Sequence, residues 1–466
     1  MNQQHADMER HLSPVNVWAL AVGCMIGWGA FVLPGDTFLG KAGPVGTSLG
    51  MGTAALMMVL IAYNYNYMIN KYPVVGGAFA YTKAVFGEKH GFICAWFMSL
   101  SYLAIVPLNG TALALVSRAL LHNFFQVGFH YTVAGYEVYL GEVALAAAVL
   151  ILFGVLGMRG VKFHGSFDTL LVLALIVGVT VLFGAACLSP KASPENLQPY
   201  FSPHTTPVRG VLTIVAIGPW AFAGFETIPQ TVEEFNFSTS KIYRIMASSV
   251  LVGALVYIAL NMATAMTLPP EYGSWAEYID AVPQLEGLPG LPTFYGAYLL
   301  LGPLGLLFIG LAVLSAILSS IIGFYMATSR LLYAMAREQV LPRWFGAMHP
   351  RYKTPANAVC FTMLASLAAL PFGRTALEWI VNMSSVGASI GAMYTCLAAL
   401  RYARAEHRQL VQLTATVGLG LSLLFITLLL VPIPGFRCAL NGPSYACMGA
   451  WILLGLLFYR HRAGKA

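Results

Sequence analysis

Apolar residues run along this chain in long blocks, parted by short stretches that carry most of the charge. A helix crossing the hydrocarbon of a bilayer needs about 20 such residues. The blocks predict twelve membrane-spanning helices, at residues 15–39, 44–69, 92–117, 141–158, 166–187, 209–230, 245–267, 297–328, 356–372, 376–400, 410–432 and 445–460. The short alternating strands of a transmembrane β-barrel are absent. Two longer connectors, CLSPKASPENLQPYFSPHTTP and PPEYGSWAEYIDAVPQLEGLPGLP, read as surface loops, the second with a solvated acidic face.

Composition agrees with the pattern. Of 466 residues, 58% are hydrophobic and 9% charged, against roughly 25% charged in soluble domains. The first block follows a polar start through Ser13 and lacks a small-residue cleavage site, so it is expected to stay in the membrane. An even number of spans puts both ends on one side. With the N-terminus inside, only Lys41, Arg118, Lys191, Arg209, Arg374 and Arg437 of the 25 basic residues fall in outer segments. Positive charge is retained on the cytoplasmic side, so both termini are expected there, in a multi-pass protein of the cell membrane. The same asymmetry accounts for a net charge of +7. No nucleic-acid motif or soluble domain accompanies it, and the chain reads as one membrane domain over 1–466. Most of the seven cysteines read as small packing residues. Cys438 and Cys447 flank a turn in the last outer loop and are placed to form a disulfide if that face is oxidising.

Two blocks contain residues that weaken a helix. In AVGCMIGWGAFVLPG, Gly27 and Gly29 flank Trp28, where unwinding costs least. Unwound backbone inside a membrane is tolerated where it lines a cavity or binds a ligand. N–H groups from about Gly29 onward carry the positive end of the second half-helix and suit a carboxylate. Carbonyls from Cys24 to Ile26 suit an ammonium group or a cation. The plainer alternative is close helix packing, since Gly23 and Gly27 form a GxxxG pair. In span six, IGPWAFAGFETIP breaks at Gly218, Pro219 and Gly224, with Trp220, Phe222 and Phe225 around the break. The two blocks lie five spans apart. Two five-helix units so spaced would sit inverted across the membrane, as in many secondary transporters. Glu226, ionisable within a span, is a candidate for proton transfer or gating, and a structural hydrogen-bonding role competes with it. It is expected on the cytoplasmic side of the centre, with Glu233 and Glu234 beyond the bilayer.

With these breaks, WAFAGFETIPQTVEEF, and SRLLYAMAREQVLPRWFGAMHPRYKTP after span eight, the chain resembles the amino acid-polyamine-organocation transporters over nearly its full length. The resemblance implies an all-α integral membrane fold of the leucine-transporter type. Its 5+5 inverted repeats would occupy 15–187 and 209–400, with helices 1 and 6 broken and helices 11 and 12 at 410–460. It also implies a substrate site of Cys24, Ile26, Gly27, Trp28, Gly29 and Ala30 in span one and Trp220, Phe222 and Gly224 in span six. Phe324 in span eight would add to the wall, with Glu226 for coupling or gating. Tyr102, Asn109, Ser384 and Ser385 are candidates for selectivity, with packing as the plainer reading. Two residues depart from the family pattern. Trp28 stands where a small residue is usual, and span five lacks the Lys that couples protons in several members. Asp168, at the inner end of that span, reads as a snorkelling or loop-contact residue.

The function implied is secondary transport of an amino acid or related small amine, proton-coupled or by exchange, without cofactor or metal. A phosphate-binding GxxxxGK[ST] loop is absent, which argues against primary transport. His164 alone makes no catalytic cluster, so an enzyme is not expected. The alternative from another class is a transporter-like receptor that binds a nutrient and signals without flux.

Overall fold

A computed structural model describes residues 8–121, 123–433 and 439–463. The Cys438–Cys447 pairing therefore lies outside the described residues. The first helix, α1 (Pro14–Met25), starts on a capping box in which the Ser13 and Asn16 side chains satisfy each other's backbone N–H groups. It stops after twelve residues, well short of the expected span. The chain resumes as α2 (Gly29–Leu33), continues through a π-helical turn (Pro34–Phe38), and enters α3 (Leu39–Lys71).

Then follow α4 (Ala78–Phe86), α5 (Glu88–Leu121), α6 (Leu140–Arg159), α7 (Val161–Leu188), α8 (Pro207–Ala221), α9 (Ile242–Met266) and α10 (Trp275–Ala281). The remainder are α11 (Pro292–Leu301), α12 (Pro303–Arg337), α13 (Ala356–Ala369), α14 (Gly373–Ala405), α15 (Gln409–Leu430) and α16 (Gly442–Ala463). A 3₁₀ segment, Phe225–Glu234, follows α8.

Among the described residues, ten helical segments are long and apolar enough to cross a membrane. The protein is thus a helical multi-pass membrane protein. The blocks expected as spans nine and ten form one of these, Ala356–Ala405, turned between α13 and α14 at Gly373, whose φ of 70° favours glycine. Among the described residues the helices are joined by one β-hairpin, of β1 (His130–Val133) and β2 (Tyr136–Tyr139). It lies outside the bundle's apolar blocks and buttresses the turn before α14: the Tyr131 hydroxyl donates to the Pro371 carbonyl at 2.6 Å.

Burial separates centre from periphery. In the Pro207–Glu234 segment 72% of the apolar window is buried, against 22% in Gln409–Leu430 and 17% in Gly442–Arg460. The α8 segment is therefore central, and α15 and α16 present apolar side chains such as Leu413, Leu453 and Leu457 outward. Next to the centre, α12 packs against α1, α5 and α7, and α3 against α8 and α9.

Candidate functional site

Where α1 ends, Ile26 leaves helical geometry (φ −101°, ψ 83°) while its N–H still donates to Val22. Helical bonding restarts with short-range bonds from Ala30 to the Gly27 carbonyl at 3.2 Å and from Phe31 to Trp28 at 3.0 Å. Between these, the N–H groups of Gly27, Trp28 and Gly29 donate to no backbone carbonyl among the described residues. The Met25 carbonyl at the end of α1 accepts from the Tyr257 hydroxyl at 3.3 Å. This is the unwound stretch that the glycine pair predicts. Gly29 has a second reason to be glycine: a Cβ there would come within 2.5 Å of the Trp220 ring. At Gly27 a Cβ would make only ordinary contacts, 3.6 Å from Asn109 Oδ1 and 3.9 Å from Ser320 Oγ.

The second break meets the first. After α8 the chain turns through Gly224 (φ 147°), where a Cβ would sit 2.7 Å from both Cys24 Cβ and the Met25 nitrogen. The obstruction is partly backbone, so it cannot rotate away. Glu226 lies directly after this break, buried, and its Oε2 accepts the Gly224 N–H at 2.7 Å. Its carbonyl accepts the Tyr102 hydroxyl at 3.1 Å, and Thr227 Oγ1 donates to the Gly224 carbonyl at 2.6 Å. Glu226 thus has a structural duty at the break, whatever else it does. Phe222 packs edge-on against Tyr257, and Phe324 of α12 tilts against Tyr102. Cys24, Ile26 and Ala30 are buried in the wall of the break.

A cavity of about 560 Å³ opens beside the first break, within the range of about 300–1,000 Å³ typical of small-molecule sites. Trp28, Gly29 and Trp220 line it at the break, and α14 contributes Arg374, Glu378, Asn382 and Ser385 at spacings that share one helix face. The other expected site residues do not reach it. Phe222 and Glu226 instead border a separate void of about 20 Å³, room for one water, beside Tyr65 and Ser389.

The opposite end is closed. There the buried Arg330 guanidinium pairs with Glu234 at 2.8 Å, Arg337 pairs with Glu233 at 3.1 Å, and Leu12 bridges to Phe235.

One expectation is corrected here. Asp168 is neither at a helix end nor snorkelling. The helix begins at Val161, not 166, which puts Asp168 two turns inside, buried, with one oxygen accepting from the Ser319 hydroxyl and Oδ2 unpartnered among the described residues. Glu234, expected beyond the bilayer, is the buried half of an ion pair with Arg330 of α12. Sequence reasoning missed Arg374 and Glu378 as cavity residues. Arg374 lay between two apolar blocks and read as a loop cation, whereas α14 starts one residue before it. Of the selectivity candidates, Asn109 reaches Gly27 and Ser385 the cavity, while the Ser384 carbonyl is occupied by the Ser101 hydroxyl at 2.6 Å.

Comparison with known proteins bears on the whole chain. Residues 12–455 match the family model described as amino acid permease. A methylthioribose transporter of Bacillus subtilis (strain 168) is 24% identical, covering 97% of this chain and 93% of its own. A branched-chain amino acid permease of the same organism is 25% identical, covering 97% and 92%. Cationic amino acid transporter 7, chloroplastic, of Arabidopsis thaliana is 25% identical over 82% of this chain and 63% of its own. A match over nearly the full length, a helical multi-pass fold and two broken helices in contact lead to one conclusion: this chain belongs to the amino acid permease family, as a secondary transporter of an amino acid or related small molecule.

Proposed function

We propose that this permease carries a small zwitterionic amino acid or related amine by alternating access, with the paired helix breaks as its binding site. The observation that carries the reading is the close approach of Gly224 to the Cys24–Met25 backbone, which brings the two helix breaks to one place. The uncommitted N–H groups at Gly27 to Gly29 suit the carboxylate, and the carbonyls ending α1 suit the ammonium. Trp28 and Trp220 supply apolar surface for the side chain. Such walls favour a neutral amino acid, a class in keeping with the branched-chain amino acid permease among the relatives.

In this reading the chain crosses the membrane twelve times. Ala356–Ala405 makes two passes about Gly373, and α1 with α2 and the π turn makes the first. Residues 15–187 and 209–400 form inverted five-helix repeats, 410–460 adds the last two helices, and both termini face the cytoplasm. The closed end at Arg330 and Glu234 is then cytoplasmic and the α14 cavity external, an outward-facing state. Glu226, linked by its hydrogen bond to the second break, is the coupling residue for protons, and solute exchange is the alternative drive. Uptake of labelled neutral amino acids into proteoliposomes of the purified protein tests the reading. Saturable flux supports it, and binding without flux refutes it in favour of a receptor.

A further inference from the structure

The cavity above the break holds an arginine that the function so far does not use. Arg374 sits in the first turn of α14, its guanidinium carbon 4.8 Å from the centre of the Trp28 ring and its Nε 2.9 Å from Glu378. Only 11% of its side chain is exposed, against 47% for Glu378, and its Nη1 is enclosed with no acceptor among the described residues. A guanidinium offers five N–H donors in a fixed fork that matches a carboxylate. The other two deeply placed arginines spend theirs on protein. Arg330 bonds Glu234 through Nε and Nη2 and Ser329 through Nη1, and Arg118 bonds Glu142 through Nε and Nη2. Arg374 is held in place yet largely unspent, one turn from a carboxylate, in the wall of a cavity that ends at Trp28 and Gly29.

We propose that Arg374 and Glu378 form an outer subsite for the head group of an α-amino acid, the guanidinium taking the carboxylate and Glu378 the ammonium, before the solute reaches the break. The inference rests on the proposed binding site at the paired breaks. It adds a specificity determinant: a solute lacking a carboxylate gains nothing from Arg374. It also links the subsite to the break, because a carboxylate drawing the guanidinium toward itself takes it off the Trp28 ring. The hairpin supports the arrangement, since Tyr136 and Val138 pack against Gly373 and so fix the first turn of α14.

The test uses the full chain in proteoliposomes with labelled leucine, and with unlabelled 3-methylbutylamine, which has the same side chain but no carboxylate, as a competitor. Arg374→Gln should raise KM for leucine about ten- to hundredfold with Vmax largely kept, the loss expected for a charge-assisted pair, while the competitor's inhibition constant stays within about twofold. Arg374→Lys, which keeps charge without the fork, should fall between. Glu378→Gln should weaken leucine and the amine together. An unchanged leucine KM in Arg374→Gln overturns the subsite, as does an equal loss for leucine and the amine. A variant that does not fold is recognised by gel filtration, and Glu378→Gln, at an exposed side chain, then decides alone: parallel weakening supports the subsite and unaltered constants overturn it. Absence of leucine flux in the unmodified protein refutes the neutral amino acid reading itself, and the subsite falls with it.

Discussion

Gly224→Ala adds one methyl group at the point where the two breaks touch. That Cβ would stand 2.7 Å from Cys24 Cβ and from the Met25 nitrogen and 2.9 Å from the Cys24 carbonyl carbon, on a backbone at φ 147° that an L side chain rarely adopts. The strained φ costs about 1–3 kcal/mol, and overpacking against atoms that cannot rotate away costs about 1–3 kcal/mol more. The low end of the sum, about 2 kcal/mol, lowers the equilibrium constant for the touching arrangement about thirtyfold. Uptake by purified protein at matched vesicle loading should fall, with a lowered melting temperature in detergent. Gly52→Ala, in α3 and away from both breaks, is the control, since its Cβ meets nothing within 4 Å and should leave both quantities near their original values. Full flux and an unshifted melting temperature in Gly224→Ala, or equal losses in the two variants, would refute the claim that the breaks meet there.

The remaining predictions concern charge and specificity. Glu226→Gln keeps an acceptor for the Gly224 N–H but cannot ionise, so it should preserve uptake while flattening its pH dependence; an unchanged pH profile removes Glu226 from coupling. Trp28→Ser takes the ring from under Arg374 and enlarges the cavity, so substrate selection, read by competition uptake, should broaden; an identical profile means the ring does not face the solute. Arg330→Met strands the buried Glu234 carboxylate at a cost of about 3–5 kcal/mol, lowering the yield of monodisperse protein, and adding Glu234→Met should restore part of it. Equal yields for single and double variants contradict a buried pair.

What was legible in the sequence follows from the range of each interaction. The break after Met25 shows in the letters because Gly27 and Gly29 weaken a helix locally, and Gly224 marks the second break for the same reason. That Gly224 must also be glycine because it presses on Cys24 and Met25 is a contact across 200 residues, which no local pattern encodes. Asp168 was misplaced by a boundary. The polar residues in VKFHGSFD suggested a loop, but tertiary packing extends the helix back to Val161 and carries the carboxylate inward. Arg374 was hidden by the same count that gives the expected side of the termini, since counting basic residues between apolar blocks cannot tell a loop cation from one turned back into a cavity. The Glu234–Arg330 pair joins residues about 100 apart and became visible only with the fold.

Whether the solute binds at the paired breaks is decided most directly by equilibrium binding of labelled leucine to the unmodified protein and to Gly29→Leu. The atoms nearest an added Cβ all belong to the Trp220 ring, from 2.5 Å away, so the variant should stay folded on gel filtration while filling the site. Saturable leucine binding by the unmodified protein and none by Gly29→Leu is the expected outcome. The same dissociation constant in both proteins would contradict it.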